Sequence, residues 1–591
     1  MIPPVCTIEP SFLCCSKRVY KRKSVSQDLD FKTMKTLYKL LFEYPLVAIL
    51  LAGFVFASCL YYIYVHATMM PSSNDVWPTQ IEFLINYKKG PDWHAFFTQH
   101  NEHRIAIAKL FYLIDELLFP GNHIFLYLLN ILFPIIFIVF MWRIIAKEIN
   151  FQKNIFFFLI IIVPIFFLSQ NENFSSSSQG IFFLSYVIPL IIYFYWICYK
   201  THKRFIYLGL VIFLSVLAPF TMASGVFSLF PIIIYSLIDG TIFKKRSRIV
   251  ILFLFSIQFL ILYFYLKNHI QDPTHGHMSI TLLKDPLHTI YYAILYLGSP
   301  FGKILAIPAA LCEVIYVFYL LSRSAFRKER LNYSTALLLF ILFVFITSAL
   351  TAIGRANFGL DTAFFSRYTT PAIYALVATI ALFYVREQHL RRFVNIVMLI
   401  LSILIITVHL NIIKAGKPVQ FFRYATLISA VQGTTDEANL KGLFYPWRLV
   451  TDTIKEALET ETGIFATEPY QTIAVSLNKP FTGTIPENIC QGNIDQIVNI
   501  GNDGTQRVQG WIHDPQISNP YYFLVAVQDG TIRGHGITGE LKPDLKKAHG
   551  KAYAYSGFWL YLHESVKDGG EVHIFLLEEE AQCKLTIPIA R

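Results

Sequence analysis

The chain has 591 residues, of which 54% are hydrophobic and only 15% charged, and its mean hydropathy is +0.48. Apolar runs of roughly twenty residues recur along most of it, which excludes an ordinary soluble globular protein and predicts a polytopic α-helical membrane protein. The formal net charge of +11 sits in clusters between those runs. That is the pattern of the positive-inside rule, and with no recognised module in the chain, nucleic-acid binding is not expected.

Residues 1–43 carry Lys17, Arg18, Lys21, Arg22, Lys23, Lys32, Lys35 and Lys39 and read as a basic cytoplasmic tail. A cleavable signal is not expected, because the basic stretch is long and the apolar run after it exceeds an h-region. The first span is predicted at 44–66. The loop 67–122 follows, with Asp75, Glu82, Asp92, Glu102, Asp115, Glu116, His94, His100 and His103. Loops of this length are usually functional or disordered, and its aromatic and aliphatic content argues against disorder. Within it, 81–88 and 104–119 read as short amphipathic helices. Lys109, Asp115 and Glu116 make the second a poor span, so both are expected to lie on the outer surface. Further spans are predicted at 123–142, 154–169, 181–199, 205–220, 225–239, 249–266, 304–321, 334–352, 371–385 and 393–413, about eleven in all. Segments this topology places inside hold 25 lysines and arginines, and the longer outside loops hold nine. The transmembrane domain 44–413 is therefore expected in the cell (inner or plasma) membrane, with the N-terminus cytoplasmic and everything after 414 extracytoplasmic.

The outer loops differ from the inner ones in chemistry. Residues 170–180 read QNENFSSSSQG, polar with Glu172 as the one charge; 267–300 holds Asp272, His275, His277 and Asp285, then an apolar helix at 288–297; 354–370 holds Arg355, Asp361, Arg367 and Tyr368. The composition turns soluble after 413. A membrane-adjacent linker spans 414–486, with a helix near 446–461. Residues 487–591 alternate short strand-like runs with Gly- and Asp-bearing turns, the pattern of a small β-sandwich. Cys490 and Cys583 bracket that domain and are expected to pair if it faces an oxidising compartment.

Three sets of side chains suggest chemistry. Asp75 is a carboxylate about nine residues beyond the first span, suited to act as a general base toward an acceptor hydroxyl, and Glu102 further along the loop is suited to hydrogen-bond a substrate. Arg355 and Arg367 stand where little else is basic, and an arginine fork binds phosphate well and offsets leaving-group charge. His103, Arg104, Glu172 and Tyr368 are suited to hydrogen-bond a substrate. His100, Glu102 and His103 match no established zinc spacing, no Gly-rich phosphate loop or protease triad is present, and no cofactor is expected, with a divalent metal on those three residues as the minor alternative.

The acidic first outer loop with two surface helices, the many spans, the cytoplasmic N-terminus and the extracytoplasmic C-terminal domain together resemble the GT-C superfamily of polytopic glycosyltransferases. The runs RVQGWIHDP (507–515), GHGITGELKPDL and YSGFW resemble a β-sandwich appended to some bacterial surface-glycan proteins. There Trp511, Trp559 and Tyr555 would serve as core or as stacking surfaces for sugars. The resemblance implies a lipid-linked sugar donor of the polyprenyl-phosphate type and a glycan or glycolipid acceptor, with Asp75 as catalytic base, Glu102 as a second acid and Arg355 and Arg367 on the donor phosphate. Many members carry adjacent acids in this loop. Here Val76 follows Asp75 and the adjacent pair is Asp115–Glu116, so the base is left open between Asp75 and Glu102. A transporter or flippase, and a polymerase or ligase, of lipid-linked surface polysaccharide are the alternative functions.

Overall fold

The computed structural model describes residues 45–66, 76–267, 269, 285–327, 332–415, 418–443, 447–500, 504–514, 522–563, 566, 570–577 and 581–588. Asp75, the tail 1–43 and the loop residues Asp272, His275 and His277 lie outside them.

Apolar chain that must satisfy its own backbone folds as helix. Among the described residues nine segments are long and apolar enough to cross a membrane: Leu46–His66, Ile124–Ala146, Gln152–Ser175, Ser177–His202, Ser247–Leu266, Pro286–Phe326, Thr335–Phe358, Ser366–Arg386 and Gln388–Lys414. Two further spans, expected at 205–220 and 225–239, are the apolar helical stretches Phe205–Phe220 and Ala223–Ile238, shorter than the roughly twenty residues a bilayer needs. The segment Gln152–Ser175 is itself broken, into Ile155–Ile160, Ile162–Ile165 and short turns. The segment Pro286–Phe326 is a hairpin of two helices, Pro286–Gly298 and Gly302–Arg327.

Helices Gly180–His202, Thr335–Arg355 and Ser366–Arg386 form the centre, with Tyr193, Tyr374, Phe183 and Phe340 fully buried. Peripheral helices leave large apolar side chains outward, among them Ile249 (66% exposed), Phe264 (64%) and Ile304 (90%). So much exposed apolar surface does not suit water and fits a lipid-facing belt.

The loop after the first span folds as expected into short helices, Glu82–Lys89 and Ala106–Leu118. The three charges that make the second a poor span are buried and partnered. Lys109 Nζ donates to the carbonyls of Ala95 (2.8 Å) and Thr98 (3.2 Å), the Asp115 carboxylate meets His123 Nδ1 at 2.9 Å, and Glu116 accepts from Lys88 Nζ and the Gly463 amide. The adjacent acids Asp115 and Glu116 thus act as structural staples, the second of them to the linker.

That linker forms a helical layer of its own: Pro418–Val431, Trp447–Glu459 (expected near 446–461) and Tyr470–Ser476. Phe421, Ile428, Val450, Ile454 and Phe465 build a core shared with Val76, Trp77, Ile81 and Ile85 of the first loop.

The C-terminal strands are β1 (Gln491–Asn499), β2 (Gln506–His513), β3 (Phe523–Gln528), β4 (Thr531–Glu540), β5 (Gly557–Leu562), β6 (Glu571–Leu577) and β7 (Ala581–Pro588). They make one antiparallel sheet in the order β1-β2-β5-β4-β3-β6-β7, in place of the expected two-sheet sandwich. Short, evenly spaced strands suit either architecture. The difference lies in pairing: β5 bonds both β2 and β4, and β3 bonds both β4 and β6, so the ladder is never interrupted. The sheet curls like a barrel. Ile489 bridges to Lys584 and the Cys490–Cys583 disulfide fastens the start of β1 to β7. Val508, Leu524, Phe558, Leu560 and Ile574 fill its inside. Trp559 lies at the junction with the linker, under the Arg507 guanidinium (4.6 Å) and edge-on to Phe421 (5.6 Å).

Candidate functional site

The chain at 99–104 doubles back on itself. His100 and His103 exchange backbone hydrogen bonds of 2.8 Å, and Asn101 makes the turn at φ 47°, a left-handed conformation that asparagine tolerates better than most residues. The turn brings Glu102 and His103 to the wall of a cavity of about 760 Å³. Tyr265 holds it from below by donating to the Glu102 carbonyl at 2.9 Å, and the Ala223 amide donates to His103 Nδ1 at 3.2 Å. With Nδ1 accepting, the neutral imidazole carries its proton on Nε2.

Arg355 ends the helix Thr335–Arg355 and Arg367 begins the helix Ser366–Arg386, so two buried central helices deliver their guanidiniums to the same cavity. Arg355 Nη2 stands 3.7 Å from Glu102 Oε2, and Arg367 Nη1 stands 3.9 Å from Glu172 Oε1. These distances are too long for hydrogen bonds and are electrostatic pairings. Arg355 also lies over the Phe358 ring, and Arg367 over Phe365 and Tyr368. Each arginine is thus oriented by a carboxylate and an aromatic face.

The polar run 170–180 is a seam along the start of the helix Ser366–Arg386. Asn171 Oδ1 accepts from the Ser366 hydroxyl (2.6 Å), Asn173 Nδ2 donates to the Arg367 carbonyl (3.0 Å), and Thr370 donates to Gln170 Oε1 (2.6 Å). These bonds fix the backbone that carries Arg367. Gln179, near the end of the run, lines the cavity with its Oε1 buried and, among the described residues, unpartnered.

Of the residues singled out in the sequence, Glu102, His103, Arg355, Arg367 and Tyr368 line this cavity together. Glu172 stands behind it, on Arg367. Arg104 does not line it: its guanidinium donates to the carbonyls of Phe97 and Lys267 at 3.0 Å and ties the turn to the chain leaving the span Ser247–Leu266. His100 joins Glu102 and His103 in the lining, but among the described residues no three acids, histidines or cysteines converge to hold a metal ion.

Several lining residues carried no signal in the sequence. Tyr186, Tyr265 and Tyr296 come from apolar spans, where a tyrosine reads as one more core aromatic; Tyr296 lies 6.1 Å from the Tyr368 ring. Lys441, Gly442 and Leu443 come from the linker. Arg423, on the linker helix Pro418–Val431, lies within electrostatic reach of Tyr127, Glu172 and Tyr62.

No family model, curated protein or solved structure matches this chain. The chemistry open to the cavity therefore follows from its own composition. Ile181, Phe182, Leu262, Leu266 and Leu350 give it an apolar wall among the spans, and the guanidiniums, the carboxylate and the tyrosines give it a polar end. Such a site suits a ligand with an anionic head and a long apolar tail.

Proposed function

We propose that the protein is an integral-membrane glycosyltransferase that moves a sugar from a polyprenyl-phosphate donor to an extracytoplasmic glycan or glycolipid acceptor. One observation carries this proposal: two arginines, a carboxylate, three histidines and several tyrosines share one cavity with an apolar wall. The polyprenyl chain would lie against that wall, and Arg355 and Arg367 would take the phosphate, whose oxygens match the guanidinium fork. Tyrosine rings offer faces for a pyranose and hydroxyls for its edge.

In the transfer, the acceptor hydroxyl oxygen bonds to the anomeric carbon from the side opposite the phosphate. The carbon–oxygen bond to the phosphate breaks, its electron pair leaves with polyprenyl phosphate, and the acceptor proton passes to a carboxylate. Glu102 stands in the cavity for that last role, with Asp75 as the other candidate. His103, with its proton on Nε2, is suited to donate to a sugar or phosphate oxygen. The arginines stabilise the charge that develops on the leaving phosphate, an effect whose removal typically costs about 10²–10³ in rate.

The test is transfer in vitro together with the lipid-linked glycan profile of a strain lacking the protein. The expected profile lacks one sugar, and Arg355→Ala, Arg367→Ala and Glu102→Gln are each expected to lower transfer about 100-fold or more. Wild-type transfer by the double arginine variant overturns the proposal. So does accumulation of complete precursor on the inner leaflet, which is the signature of a flippase.

A further inference from the structure

We propose that the C-terminal sheet is a working part of this cavity, and that the Asp436–Arg507 pair is a positioning element for its linker wall; the inference rests on the cavity being the donor site argued above.

The wall is the turn Lys441–Leu443, which follows directly on the short helix Glu437–Leu440. Asp436 caps that helix and is 2% exposed. Its carboxylate accepts from the Asn439 side chain (2.6 Å), from the Tyr561 hydroxyl on β5 (3.4 Å) and from Arg507 Nη1 on β2. A buried carboxylate taking a guanidinium from the sheet is a costly contact to break, since either partner alone would be left as an uncompensated charge.

A second line of contacts runs the same way. The Arg507 guanidinium lies over Trp559, Trp559 packs edge-on against Phe422 (6.0 Å), and Phe422 closes on Gly442. A Cβ at Gly442 would stand 3.0 Å from the Phe422 ring and 3.1 Å from the Asn439 carbonyl, so a side chain there would need the ring to give by a few tenths of an ångström. Arg507 thus reaches the turn by two routes, through the charge of Asp436 at the head of the preceding helix and through ring packing on Gly442. Leu443, 1% exposed, is the point where the wall joins the linker core.

The experiment uses the full chain in lipid nanodiscs. Leu443→Cys is reacted with a membrane-impermeant maleimide and read at that position by mass spectrometry, and binding of a fluorescent polyprenyl phosphate is measured alongside. Arg507→Ala and Asp436→Asn are each expected to speed labelling at least about tenfold and to weaken polyprenyl-phosphate binding by a similar factor. Arg507→Lys should recover part of both. Lys542→Ala, which removes ion pairs with Asp495 on β1 and Glu540 on β4, should change neither. Unchanged labelling overturns the clamp, and faster labelling with unchanged affinity overturns the role in the cavity. If hydrogen exchange at β3 and β6 shows the sheet unfolded in Arg507→Ala, Asp436→Asn decides. Failure of the donor-site proposal is separate: the unsubstituted protein then does not bind polyprenyl phosphate, and labelling alone decides the clamp.

Discussion

His535 on β4 is 3% exposed, and both its ring nitrogens are engaged: Nδ1 with Gln432 Oε1 (3.2 Å) and Nε2 with the Ser476 hydroxyl (3.0 Å). Burial pushes its pKa down to about 4. The folded state therefore binds fewer protons than the unfolded state between about pH 4 and 6.5, and stability rises with pH across that window. The docking of linker on sheet should lose about 3 kcal/mol as the pH falls from 7 to 4, because the ring must be charged where it is buried. Thermal melts of the full chain and of His535→Gln over that range check it: the acid-dependent loss should shrink in the variant. Residue type and isolation made the cavity partly legible. Arg355 and Arg367 stood out because little else near them is basic, and acids next to histidines drew attention to Glu102 and His103. Arg104 shares the same neighbourhood in sequence, yet the left-handed turn at Asn101 and the two carbonyls its guanidinium reaches send it elsewhere. Nothing in a one-dimensional pattern specifies that direction.

Elements were legible where hydropathy sets them and less so where packing does. The apolar runs appear as helices, and the spans expected at 205–220 and 225–239 are helical over nearly those residues, but their length leaves them outside the nine described segments long enough to cross a membrane. The apolar helix expected at 288–297 packs back on its successor. There Gly298 approaches Ala306 so closely that a Cβ would fall 1.9 Å from the Ala306 carbonyl oxygen. Gly298→Leu must push these helices apart and should cost at least about 1–3 kcal/mol, the usual range for overpacking. Folded yield and melting temperature of the purified variant measure it. The helix Pro286–Gly298 also carries Tyr296 to the cavity, so the shape of the cavity should change with stability.

At the scale of the whole molecule, the sheet, the linker and the first loop form one continuous body. The distribution of basic residues predicts that this body is extracytoplasmic, and the Cys490–Cys583 pair suits an oxidising compartment. In intact spheroplasts an external protease should therefore cut within the C-terminal domain and spare an N-terminal tag, and the two cysteines should resist thiol reagents until reductant is added. Protection of the domain, with a cut tag, reverses the topology. Hydropathy, which acts through solvent and needs no partner, determined a helical membrane region, and short alternating runs between Gly- and Asp-bearing turns determined a strand-rich C-terminal domain; charge gives the orientation as an expectation. Tertiary structure alone decided that the strands form one curled sheet, that Asp115 and Glu116 are staples, and that Glu102 meets Arg355 across some 250 residues of chain. It alone also brought Lys441–Leu443 to the cavity. Long-range pairing depends on which faces fit and which buried charges find partners, and neither is written in the local spacing of residues.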